Sequence, residues 1–231
     1  MRVIEQNLTV TPGDVNGFTV SDTDITGPFP IALPLDGVLS SVNPYNSSRE
    51  VDMLSNTFGV LVGFTLGLTG SAADVTIVGR DINGNPFTEI VTMPGASDAV
   101  SSVNVFSFIE SMTIDGAYTN LEVGIIAADS QFGRWVVLDH YQNPMEVLLD
   151  LEEITDGSTV EVDITTDDKF IRSGNPEPDT FFAADAPFLA VVASQNELLE
   201  QMPAIAVRLQ HTTGTAGQWR ARFMQSGGGN R

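Results

Sequence analysis

Cysteine is absent from the 231 residues. That excludes disulfides, thiolate metal sites and a cysteine nucleophile, so stability has to come from core packing or from assembly with other subunits. Lysine is nearly absent too: Lys169 stands alone. Ten cations face thirty carboxylates, for a net charge of −20. A surface this acidic repels phosphate and anionic lipid, which argues against nucleic-acid and membrane partners. No apolar run reaches the length of a membrane-spanning helix. The opening "MRVIEQNLTV" carries Glu5 and no long apolar stretch, so it does not read as a signal peptide. Gly-x-Ser-x-Gly, a P-loop, a dinucleotide fingerprint and His-Glu-x-x-His are all missing.

What is present is strand. Hydrophobic residues make up 42% of the chain, enough for a core. Val, Ile, Thr and Phe recur in short runs cut by Gly, Pro, Asn and Asp about every ten residues, the all-β rhythm. "VGRDINGNPFTEIVTMPG", residues 78–95, reads as a hairpin. Asn83-Gly84 offers the positive φ angles of a tight turn. On the return strand, Phe87, Glu89 and Val91 share one face, and Thr88, Ile90 and Thr92 share the other. Residues 58–127 read as four or five antiparallel strands in meander order.

Residues 1–57 are less regular, with one strand near 2–10 and another near 49–55. Pro28, Pro30 and Pro34 favour an extended path between them. An alternative for that segment is an arm laid on a neighbouring subunit, which makes these prolines interface candidates. "ADSQFGR", residues 128–134, looks like a boundary, and a second set of strands follows. "MEVLLDLEEI" is assigned as strand because turn signals flank it at strand spacing. Ser194 and Glu197 have capping-box spacing, so "SQNELLEQM" admits a short helical turn. The fold class is all-β: two small antiparallel sandwich-like or barrel-like domains, residues 1–130 and 131–231, with an extended N-terminal segment and a Gly-rich C-terminus.

The residues offer little catalytic chemistry. His140 and His211 lack metal-ligand spacing, and Asp139 beside His140 would point to the opposite strand face. Glu161 and Asp163 share one face, and Asp167-Asp168 follow, without the spacing of a calcium loop. The expectation is no catalytic residue, no bound metal and no cofactor. A carbohydrate-binding module would need exposed aromatics in one groove, for which Tyr118, Trp135 and Tyr141 are the candidates.

The arginines are more informative. After Glu200 there is no carboxylate side chain, yet Arg208, Arg220, Arg222 and Arg231 fall there. In "QWRARFMQ", Trp219, Ala221 and Phe223 take one face and Arg220 and Arg222 the other. Arg208 lies opposite Ile205, Val207 and Leu209. Joined by "TTGTAG", the two strands read as a hairpin with all three arginines on its outer face. Such a stripe either pairs with carboxylates of its own chain or meets an acidic neighbour.

"VTIVGRDINGNPFTEIVTMPG", "VNVFSFIESMTI" and "LEVGI", followed by "RWVVLDHYQNPMEVLLDLEE", "VEVDITTDD" and "PAIAVRLQHTTGTAGQWRARFMQSGGG", occur in this order over residues 58–225. The series resembles a recurrent domain pair of tailed-bacteriophage virion proteins. The chain departs from that pattern in its acidity and in "SQNELLEQM". The resemblance implies a non-enzymatic structural protein that assembles in the host cytoplasm into the virion. Its partners would be the major capsid protein or other virion subunits, with copies of itself on the particle. Decoration or cementing of the capsid is the first expectation. A tail or head–tail component is the second.

Overall fold

A computed structural model describes residues 2–14, 17–19, 23–42, 46, 48–52, 58–65, 72–95, 99–125, 131–139, 147–167, 178, 182–183, 191–198 and 204–225. These residues form strands and no helix. In chain order the strands are β1 (Arg2–Thr9), β2 (Thr23–Ile25), β3 (Ile31–Ala32), β4 (Ser40–Val42), β5 (Arg49–Asp52), β6 (Gly59–Val60), β7 (Gly63–Thr65), β8 (Ala73–Asp81), β9 (Pro86–Met93) and β10 (Ala99–Ser101). They continue with β11 (Phe106–Ile114), β12 (Tyr118–Gly124), β13 (Gln131–Phe132), β14 (Val136–Val137), β15 (Val147–Thr155), β16 (Ser158–Thr165), β17 (Phe182–Ala183), β18 (Gln195–Leu198), β19 (Ala206–Gly214) and β20 (Gln218–Gln225). The all-β class read from the sequence is the class observed.

The chain divides into two compact units. One holds residues 1–11, 56–58 and 131–231, the other 12–55 and 59–130. The chain passes from one unit to the other between residues 130 and 131. Strand β1 belongs with the C-terminal half, however, because it pairs with β20 from Arg2↔Gln225 to Thr9↔Gln218. Local pattern names a strand but not a partner some two hundred residues away.

The unit holding the C-terminal half is built from two antiparallel layers. The first has the order β1-β20-β15-β18. In the second, β16 pairs with β17 and β19, and β19 also pairs with β13 and β14. Leu149, Leu151, Trp219, Ala221 and Phe223 from the first layer pack with Val160, Val162, Val207 and Leu209 from the second. The expected β19–β20 hairpin does not exist: the two strands lie in different layers, and the chain arches between them. Gly214 makes the arch possible. Its φ is +108°, and a Cβ there would collide with the Gly157 carbonyl oxygen. Residues 195–198 are strand β18 on β15 rather than a helical turn. The Ser194 hydroxyl accepts a hydrogen bond from the Glu153 N–H at 2.9 Å instead of capping a helix.

In the other unit the hairpin of β8 and β9 runs from Ala73↔Met93 to Arg80↔Pro86. Val91 and Met93 are buried while Thr88, Ile90 and Thr92 are exposed, as the alternation required. Only Gly84 of the Asn-Gly pair has positive φ, at +85°. Its N–H bonds to the Asp81 carbonyl, and the Asp81 carboxylate accepts from the N–H groups of Asn83 and Asn85 at 2.8 Å each. The turn is therefore a three-residue loop closed by a glycine bulge. Meander order fails beyond it. β11 lies on the far side of β8, and β12 joins β7 and β2 in another sheet. Both edges of β8 are equivalent to a period-two pattern, so the order of neighbours is not written in it.

The Pro-rich segment pairs with its own unit. Ile31 and Ala32 pair with Ile114 and Thr113. The Leu33 N–H donates to the Met112 carbonyl at 2.9 Å. Leu33 and Leu35 enter the core, and Pro28, Pro30 and Pro34 are exposed to solvent, as is Phe29.

Candidate interaction surface

Period-two alternation decides what the four-stranded layer presents. Burying Trp219, Ala221 and Phe223 turns Arg220, Arg222 and Met224 to the outer face. Register then aligns residues in rows across the strands. Val3, Met224, Leu148 and Leu198 form one row. Glu5, Arg222, Asp150 and Asn196 form the next, and Asn7, Arg220 and Glu152 the third. Val3 and Leu198 are 47% and 50% exposed, which is unusual enough for aliphatic side chains in one row to mark the face.

Arg220 and Arg222 do lie where the alternation put them, but the stripe is not basic. Arg222 Nη1 donates to Asp150 Oδ2 at 2.8 Å, and its Nε to Glu5 Oε2 at 3.0 Å. Arg220 Nη1 donates to Glu152 Oε2 at 2.9 Å, and its Nε to Asn7 Oδ1 at 3.2 Å. Hydrogen bonds to Asp150 and Glu5 hold the Arg222 guanidinium above its ordinary pKa. Two guanidiniums thus neutralise most of three carboxylates, all partly exposed. Exposed pairs of this kind contribute only ~0.2–1 kcal/mol each. Their consequence is a face of low net charge on a strongly acidic chain. Beside them Asp150, Glu152, Ser194, Asn196 and Arg222 line an open depression of about 490 Å³.

Arg208 is not on this face, nor on any outer face. Its side chain is 1% exposed. Nε donates to Asp163 Oδ2 at 2.9 Å. The guanidinium carbon lies 4.2 Å from the Phe132 ring centroid and 4.5 Å from that of Trp135. β19 is covered on both sides: Val207 and Leu209 enter the core between the layers, and Arg208 faces the two aromatics. Sequence reasoning missed this because it assumed one solvated face. The usable signal is that Arg208 and Asp163 are cross-strand partners in the β16–β19 ladder.

Glu161 and Asp163 share a face, as expected, next to Gln210; assigning its amide with the nitrogen toward the carboxylates lets it donate to Glu161 Oε1 at 3.3 Å and Asp163 Oδ2 at 3.2 Å. Burial raises the Glu161 pKa, and the Asp163 charge raises it further. Burial also raises the Asp163 pKa, against the opposing pull of Arg208. A carboxyl with a raised folded-state pKa opposes folding when ionised. Its stability contribution therefore falls as pH rises from the usual carboxylate range through the raised value. Glu161→Gln is expected to raise the melting temperature at neutral pH, with the gain shrinking toward acid. Thermal melts of both proteins across that range check this; a gain that is constant with pH contradicts it.

His211 is buried beside Phe58, with ring centroids 6.2 Å apart. His140 and Tyr141 lie outside the described residues. Tyr118 and Trp135 are 2% and 5% exposed, which removes two of the three aromatics that a sugar platform would have used. The described residues hold no group of three or more His, Asp or Glu side chains arranged to hold a metal ion. No family model, curated protein or solved structure matches this chain.

Proposed function

We propose that the chain is a structural protein of a tailed-bacteriophage virion, which binds other virion subunits and stabilises the capsid shell. The observation that carries the reading is the outer face of the β1-β20-β15-β18 layer. Exposed Val3 and Leu198 flank an ion-pair network there, on strands that a well-packed core holds rigid. A rigid sheet face with an apolar row and ordered charges suits recognition of another protein surface. Arg220 and Arg222 remain interface candidates; Arg208 does not. The exposed Pro28, Phe29, Pro30 and Pro34 loop gives the other unit a second surface of the same kind. The resemblance of residues 58–225 to a domain pair of virion proteins suggests the setting, and many copies on one shell would give avidity from modest contacts.

The test is co-sedimentation of the purified chain with particles that lack it. Binding in fixed stoichiometry at many copies per particle is the expected result. A few copies per particle would move the protein to the tail or the head–tail junction. A chain that stays in the supernatant overturns the virion reading.

A further inference from the structure

The geometry points to a specific occupant for the outer face of the four-stranded layer: the same face of a second copy of this chain, in a two-fold dimer. Consider an axis lying in the interface, parallel to the strands and midway between β20 and β15. It sets β20 of one copy over β15 of the other, and β1 over β18. Each row then meets itself reversed. Arg222 faces Asp150 of the second copy, and Arg220 faces Glu152. Met224 faces Leu148, Val3 faces Leu198, and Glu5 faces Asn196. Every guanidinium gains a further carboxylate and every aliphatic a further apolar neighbour, which is the self-complementarity that an isologous contact requires. An axis running across the strands would instead stack Arg222 on Arg222 and Asp150 on Asp150.

Charge and area agree. Two copies at −20 repel each other wherever their carboxylates are uncompensated. On this face the carboxylates already have arginine partners, which lowers the cost of close approach. Three strands of about eight residues and the four-residue β18, ~4.8 Å apart with ~3.4 Å rise per residue, span roughly 450 Å². Two such faces bury about 900 Å², near the ~1,000 Å² threshold for a specific interface. The depression lined by Asp150, Glu152, Ser194 and Asn196 lies opposite Glu5, Asn7 and the two arginines of the second copy, whose long side chains would fill it. Aligned packing of twisted sheets would keep these rows in contact near the axis.

The dimer occupies the face on which the virion reading rests and leaves the exposed Pro28, Phe29, Pro30 and Pro34 of the other unit for contact with other subunits; it is argued from the face geometry alone, so the two fail separately. The test is sedimentation velocity of the full chain, alone, over a concentration series. The wild type is expected to sediment as a dimer. Arg222→Glu opposes carboxylate to carboxylate across the axis, and Asp150→Arg opposes arginine to arginine. Each is expected to weaken the homodimer roughly 30-fold or more while keeping the far-ultraviolet circular dichroism of the folded chain. Mixed in equal amounts, the two variants are expected to pair, because both cross-axis contacts then join opposite charges. A monomeric wild type overturns the dimer, even if that monomer still binds particles. So does a homodimer indifferent to either substitution, or a mixture that stays monomeric.

Discussion

Arg208→Ala is expected to cost the C-terminal unit about 3–5 kcal/mol, because it leaves the Asp163 carboxylate buried and without its guanidinium. The magnitude follows from the surroundings. Both side chains are shielded from water, so neither charge can be rehydrated without opening the β13–β14 cover. The truncation also removes the planar group between Phe132 and Trp135, whose rings then face a gap. Arg208→Lys is expected to fail almost as badly, since an ammonium cannot both stack between two rings and meet a carboxylate in plane. The double substitution Arg208→Met with Asp163→Leu recovers much of the loss, because apolar replacement of both members of a buried pair is close to neutral. Urea denaturation followed by tryptophan fluorescence measures this cleanly. Trp135 and Trp219 are the only tryptophans and both belong to this unit, so the signal reports its unfolding alone. A loss below about 1 kcal/mol for Arg208→Ala, the range of exposed pairs, would show that water reaches the site.

The same residue marks the limit of reading this chain from its sequence. Alternation located the strands, because every second residue of β8, β9 and β20 is withdrawn from water. It also set Arg220 and Arg222 outward, since burying Trp219, Ala221 and Phe223 leaves them no other side. It failed on β19, whose pattern is buried on both faces. An arginine in such a strand is indistinguishable locally from a solvated one; only the far partners Asp163, Phe132 and Trp135 reveal it. Partner choice was equally hidden. The turn between β19 and β20 has the composition of a hairpin, yet the backbone there crosses layers. That depends on room for Gly214 beside Gly157, a contact between segments far apart in the chain. The capping-box spacing of Ser194 and Glu197 yielded to tertiary pairing, because the ladder to β15 satisfies more backbone groups than one helical turn would. The neutrality of the outer face was likewise illegible, since Glu5, Asp150 and Glu152 lie on two strands distant from the arginines in sequence.

Trp219→Ala is expected to destabilise the same unit by about 3–5 kcal/mol, as truncation of a buried indole leaves a cavity that rigid strands close only in part. Trp219 is fully buried, in register between Leu8 on β1 and Glu153 on β15. Its indole N–H donates to the Ser158 hydroxyl at 2.8 Å, and so ties the first layer to the first residue of β16. Two terms separate experimentally. Trp219→Phe keeps most of the apolar volume and loses only the hydrogen bond, for about 1–3 kcal/mol from the unmet hydroxyl. The remainder of the alanine effect is cavity. Circular dichroism must follow these melts, since the reporter ring is the one removed. Equal losses for the two variants would mean that packing around the indole is loose and the hydrogen bond dominates. The substitution also reaches the outer surface. Trp219 holds its face of β20 inward, and the facing direction of Arg220 and Arg222 is the geometric complement of that burial. Loosening the indole therefore loosens the ion-pair rows that a second copy would meet. Trp219→Phe, which preserves the inward anchor, is expected to keep the wild-type sedimentation behaviour, while Trp219→Ala shifts it toward the monomer.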